Sequence, residues 1–248
     1  MTEFELGKSF YLLEEEYRDL ITELTVNQDK YQKCGYKGWV WLQGPLIYHP
    51  DVLFVGYNPG QGKDWKKTFH MPFTGERRLA CFEDNNAYYN PDLEKQKGLP
   101  TPWYAFNDKY KGNSFDWQLL KIIKGCAEKL YPNETDFIEQ SEIPKWSCSF
   151  GKRISFINLY PMATKDEKTL KKLLAEIRKN DSEIIPKLCE GYCKKKIERE
   201  WDLRCPFVCR VRKFREWISP KLTVCLGSET FHDFTADRKE TKVNENRL

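Results

Sequence analysis

Three short segments of this chain hold the residue types that site chemistry needs. The first is Gly56-Tyr57-Asn58-Pro59-Gly60, which follows directly on the apolar run Val52-Leu53-Phe54-Val55. Its Pro and two Gly leave the turn little side-chain bulk, so a ligand can approach the backbone closely. Asn58 is presented at the end of the run, and a carboxamide there can hold a water or a base edge without adding charge. Alone, an Asn-Pro-Gly turn is also an ordinary way to end a strand. The second segment is Met71-Pro72-Phe73-Thr74-Gly75-Glu76. The third is Phe156-Ile157-Asn158-Leu159-Tyr160-Pro161-Met162, again an apolar run that breaks at an Asn and a Pro.

Two further clusters invite chemistry. Cys189 and Cys193, with Cys205 and Cys209, form two pairs at a spacing of four around a charged stretch. Four thiolates can hold a zinc ion or an iron–sulfur cluster. The same spacing also places each pair on one face of a helix, and zinc knuckles turn more tightly, so the signal is weak and no cofactor is expected. Lys194, Lys195 and Lys196 begin a basic stretch continued by Arg199, Arg204, Arg210, Arg212, Lys213 and Arg215. Such a stretch contacts phosphates or forms a solvated helical face.

The elements that must position these residues follow from length and patterning. The 248 residues, 40% hydrophobic and 15% aromatic, suit a globular chain with a full core. The net charge of +4 does not by itself demand a nucleic-acid partner. No apolar run approaches the roughly 20 residues that span a bilayer, and the acidic first residues lack a signal-peptide core. The expectation is an intracellular protein of cytoplasm or nucleus, without a membrane partner and monomeric. Nine cysteines in such a chain read as thiols, with Cys81, Cys126 and Cys225 buried among apolar residues.

Apolar spacing predicts one amphipathic helix from Phe10 to Leu24, through Leu13, Tyr17, Leu20 and Ile21. Residues 28–50 read as an irregular approach to the first strand. From Asp64 to Gly112 the chain lacks periodicity and is rich in Asn, Asp, Gly, Pro and aromatics, which reads as a long functional loop or lid. A helix is predicted over Phe115–Leu130, a second strand over 154–157, and helices around 166–180, 183–200 and 208–218. A third strand, Leu222–Leu226, ends at Gly227, and Ser228 opens a short helix through Phe231 and Phe234. Strands separated by helices imply a parallel sheet with crossovers, whose carboxyl ends can line one crevice. The expected architecture is α/β: one domain over 1–234 carrying the loop 64–112, then a polar tail over 235–248.

In order and spacing, the Gly-Tyr-Asn-Pro-Gly turn, the Met-Pro-Phe-Thr-Gly segment and the Asn-Leu-Tyr-Pro strand end resemble the uracil-DNA glycosylase superfamily. The resemblance is closest to its single-strand-selective monofunctional branch and runs from about Gly38 to Phe234. It implies a three-layer sandwich around a short parallel sheet. It also implies hydrolysis of the N-glycosidic bond of uracil or a modified pyrimidine in single- or double-stranded DNA. In these terms Asn58 would position the attacking water and Phe73 would stack on the flipped base. Asn158 would read the base edge. Gly56, Tyr57 and Gly60 would bring main-chain N–H groups to a base carbonyl. Lys194, Lys195 and Lys196 would meet DNA phosphates. No lysine stands inside these motifs, so no Schiff-base step is implied.

The chain departs from the family's pattern at two points, the long loop 64–112 and the histidines. Members carry a His-Pro-Ser-type loop whose His stabilises the transition state. Here none of His49, His70 and His232 is followed by Pro-Ser. His70, just before Met71-Pro72-Phe73, is the possible additional site histidine. The alternative expectation is a glycosylase-like fold that binds nucleic acid or a nucleotide without cutting.

Overall fold

The computed structural model of the chain describes residues 3–42, 46–59, 114–133, 153–189 and 205–235. At its centre is a parallel sheet of three strands, β1 (Val52–Gly56), β2 (Ile154–Asn158) and β3 (Leu222–Cys225), in the order β2-β1-β3. The register pairs Gly56 with Asn158 and Val55 with Cys225. All three strands therefore finish at one edge of the sheet. Every residue of β1 and β2 is buried, as continuous apolar runs in a sheet covered on both faces should be.

Successive residues of β1 serve different cores, because strand side chains alternate between faces. Val52 and Phe54, with Ile154 and Phe156 of β2, pack against Leu119, Ile123, Cys126 and Ala127. These last four lie on one face of the helix Ser114–Leu130, at the spacing a helix stripe requires. Leu53, Val55 and Ile157 point the other way, into a larger core. Helices Glu3–Glu15 (α1), Arg18–Val26 (α2) and Gln28–Lys33 (α3) supply part of it. With Ser114–Leu130 counted as α4, further parts come from α5 (Glu167–Asn180), α6 (Ile184–Cys189), α7 (Cys205–Ile218) and α8 (Ser228–Thr235), and from residues 36–42, Leu46 and residues 159–162 between elements. The described residues thus form a mixed α/β structure with helices on both faces of a small parallel sheet.

Several boundaries differ from the sequence-based expectation. The predicted helix Phe10–Leu24 is two helices that part at Glu16 and Tyr17. Tyr17 N donates to Glu14 O at 2.9 Å, the tighter bond of a closing turn. Tyr17 is fully buried between Trp39, Trp41 and Phe207, with the Arg210 guanidinium 4.8 Å from its ring centre. Both helices turn their apolar stripes to this one aromatic cluster, so the spacing runs on unbroken across the joint. Residues 28–50 are also less irregular than expected. They include α3, and Trp39 and Leu42 bridge antiparallel to Met162 and Ile157. The helix expected from 208 begins at Cys205, because Pro206 in the first turn gives up no hydrogen bond and starts a helix well. The helix expected over 183–200 is described as Ile184–Cys189, opened by Asp181, whose Oδ1 accepts from the N–H groups of Glu183 and Ile184. Residues 190–200, the loop 64–112 and the tail from 236 lie outside the described residues.

Candidate functional site at the carboxyl edge of the sheet

Three segments meet beyond the carboxyl ends of β1 and β2. Residues 56–59 continue β1, residues 158–164 continue β2, and residues 37–41 run antiparallel along the second of these. Leu159 N donates to Gly56 O at 2.7 Å and Tyr160 N to Tyr57 O at 2.8 Å, so the two turns stay zipped after the strands end. On the outer side, Val40 N donates to Pro161 O, Ala163 N to Gly38 O and Lys37 N to Ala163 O, each at 2.8 Å. The rings of Tyr57 and Tyr160 lie 4.9 Å apart, and Tyr160 Oη donates to Asp233 on α8 at 2.9 Å. Leu226 N donates to Val55 O at 2.8 Å, which brings the end of β3 to the same edge. Gly227 follows with φ of 101°, a conformation that favours glycine and lets α8 turn away.

Asn58 is half-buried in this junction, and its amide nitrogen is surrounded by acceptors. Nδ2 donates to Thr164 Oγ1 at 2.9 Å, with Pro59 O at 3.2 Å, Thr164 O at 3.3 Å and Met162 O at 3.5 Å also facing it. The opposite flip would set Oδ1 against three carbonyl oxygens, so the network fixes which atom is which. Oδ1 accepts no hydrogen bond from the described residues. It is a preorganised neutral acceptor at the edge where open α/β sheets bind ligands.

Asn158 is placed differently. It is only 1% exposed, its backbone N–H donates to Trp41 O at 2.8 Å, and its Nδ2 donates to Val40 O at 2.9 Å. One of the two N–H donors of the amide thus holds residues 40–41 against β2. Gly56 is explained by the same packing. A Cβ there would meet the Phe156 ring at 2.8 Å and Asn158 Oδ1 at 3.0 Å. The space that Gly56 leaves is occupied by these two side chains rather than left open to a ligand.

The other expected site residues divide as follows. Gly56, Tyr57, Asn58 and Asn158 come together at the carboxyl edge. Gly60, His70, Phe73, Lys194, Lys195, Lys196 and Cys193 lie outside the described residues. His49 stands at the opposite, amino edge, where its N–H donates to Ile218 O. Cys205 and Cys209 do meet, with sulfurs 3.6 Å apart on the first turns of α7. The hydrogen bond from Cys205 and the charges of Arg212 and Arg210 outweigh burial and bring the Cys209 thiol down to about 7. Cys189 is buried at the end of α6. Among the described residues, no three His, Cys, Asp or Glu side chains group closely enough to hold a metal. Cys126 is buried as expected, and burial raises its thiol pKa; Cys225 is half-buried, and burial pushes its thiol up to about 11.

Sequence reasoning missed Thr164, the closest partner of the Asn58 amide. The only signal was its place three residues after the Tyr-Pro strand end. It also missed Asp51, whose charged partners stand about 100 and 170 positions further along the chain.

No family model matches the chain, and no curated protein or solved structure matches it. Among the described residues, no helix is long and apolar enough to cross a membrane.

Proposed function

We propose that this chain is a monofunctional DNA glycosylase that hydrolyses the N-glycosidic bond of uracil or a modified pyrimidine. The observation that supports this reading most is the Asn58 carboxamide, clamped through its nitrogen at the carboxyl edge while its oxygen accepts no hydrogen bond from the described residues. In the reaction a water oxygen bonds to the sugar C1′ while the bond from C1′ to the base nitrogen breaks. The electron pair leaves with the base, and solvent takes up the proton released by the water and protonates the departing anion. An uncharged acceptor suits the step, because it orients the water and faces the developing positive charge of the sugar with the negative end of its dipole. No lysine lies in the recognised motifs, so the product is an intact abasic site. The test is incubation with oligonucleotides carrying uracil, modified pyrimidines and the ordinary bases, followed by hot alkali. Strand scission at a pyrimidine-derived position supports the reading, and intact strands across the panel refute it.

A second reading keeps nucleic acid or a nucleotide as ligand but removes the cutting. It is favoured by Asn158, one of whose amide N–H groups is bound to Val40 O. The two readings differ over Asn158→Asp. If Asn158 reads a base, the substitution changes which base is released. If it only pins residues 40–41, the new carboxylate faces a carbonyl oxygen in a buried place. The expected result is then a loss of about 2 kcal/mol or more in stability with no change of base preference. Denaturant unfolding beside the base panel separates the outcomes.

A further inference from the structure

We infer that Thr164 is a positioning residue that holds the Asn58 carboxamide with its nitrogen toward Thr164 and its oxygen away from it. The inference rests on the reading that Asn58 orients the attacking water. Thr164 is fully buried, and its hydroxyl has two partners with opposite demands. Oγ1 lies 3.1 Å from Asp166 O, and a carbonyl oxygen can only accept, so the hydroxyl proton is committed there. The oxygen lone pairs are then left to accept from Asn58 Nδ2 at 2.9 Å, the shortest of the four contacts to that nitrogen.

The anchor behind Thr164 is rigid. Asp166 is the N-cap of α5: its Oδ1 accepts from Thr169 N at 2.8 Å and from Thr169 Oγ1 at 2.6 Å, and its carbonyl also accepts from Leu170 N at 3.0 Å. Thr164 N donates to Pro59 O at 3.3 Å, which ties the same residue to the turn that carries Asn58. A continuous chain of hydrogen bonds thus runs from the start of a 14-residue helix to the candidate water-positioning group. The direction of each bond matters as much as its length. With the hydroxyl proton spent on Asp166 O, a flipped Asn58 would face four oxygens with no donor among them. Thr164 so restricts Asn58 to one role, accepting from a donor such as water.

The test compares Thr164→Val, which removes the hydroxyl at nearly constant shape, with Thr164→Ser, which keeps it. Three quantities are read: the single-turnover rate of base release, DNA affinity, and the Asn58 side-chain amide signal in nitrogen–proton NMR. The signal is assigned by its loss in Asn58→Ala. Thr164→Val should slow base release by about tenfold to a hundredfold, as a loosened catalytic group does, with affinity unchanged within about twofold. Its Asn58 amide protons should shift and exchange faster with solvent. Thr164→Ser should restore both rate and signal. If Thr164→Val does not fold, Thr164→Ala takes its place with the same expected outcomes. A Val or Ala variant with the parental rate and the parental amide signal overturns the inference. If the parent releases no base at all, the proposed function fails, and the amide signal alone then decides the role of Thr164.

Discussion

At the amino ends of the strands, Asp51 accepts from Tyr131 Oη at 2.6 Å, from Lys221 Nζ at 2.7 Å and from Arg153 Nη1 at 3.3 Å. At the carboxyl ends of the same strands, Asn58 has its amide nitrogen faced by four oxygens, Thr164 Oγ1 the nearest, and its own oxygen free of the described residues. The first edge closes on itself. Residues leading into β1, β2 and β3, together with the end of α4, converge on one carboxylate that is only 6% exposed, while both cations reach water. Burial alone would raise the Asp51 pKa, but hydrogen bonds from Lys221 and Tyr131 and the charges of Lys221 and Arg153 hold it below the usual carboxylate value. The second edge is fastened by backbone bonds, two carboxamides, the Thr164 hydroxyl and the Tyr160–Asp233 bond, and among the described residues nothing donates to the Asn58 oxygen. Two cations and a carboxylate hold the first edge, whereas the amide of Asn58 at the second meets only uncharged oxygens.

The comparison breaks most visibly at Asp51. Asp51→Ala should cost about 3 kcal/mol of unfolding free energy, since hydrogen bonds to a buried charge are lost while the two cations stay solvated. Denaturant midpoints would show it. The pH dependence follows from the depressed pKa. The stabilisation is fully present above the unfolded-state value of about 3.9 and is lost as pH falls through the lower folded-state value. The stability gap between parent and Asp51→Asn should therefore be flat from about pH 7 to 5 and shrink below about pH 4. A gap that widens in acid would remove Asp51 from this role.

Gly56→Ala is the next largest, on the opposite edge. The new Cβ would press on Phe156 and Asn158, and the overpacking should cost about 1–3 kcal/mol. If Gly56 instead keeps space for a ligand, stability would hardly change and ligand affinity would fall. Thermal unfolding with and without oligonucleotide separates these outcomes.

Much of this contrast could be read from the sequence at one edge and little at the other. The runs 52–55, 154–157 and 222–226 announce strands, the first two fully buried and the third half-buried, and the helices between them require parallel pairing. Asn58 was visible because Pro59 and the flanking glycines mark a turn that interrupts an apolar run. Asp51 was not, because one Asp before a strand looks like any loop residue, and its partners Tyr131, Arg153 and Lys221 are far away in the chain. Thr164 was hidden for the same reason, since its bond to Asn58 spans 106 positions. The break at Tyr17 left no trace because both helices face one core. The sequence pattern likewise treated Asn158 and Asn58 as equivalent strand-end amides. Only burial and partners separate them, the one fully buried against Val40 and the other half-buried against Thr164.

The measurement that bears most directly on this account sets the two edges against each other. Single-turnover base release from a uracil-containing oligonucleotide is followed for the parent, Asn58→Ala and Asp51→Ala, at a temperature where all three are folded. The account predicts a loss of roughly 10²-fold or more for Asn58→Ala with DNA affinity nearly unchanged, and a rate within about threefold of the parent for Asp51→Ala. Equal rates for parent and Asn58→Ala, or a larger loss in Asp51→Ala, would contradict it.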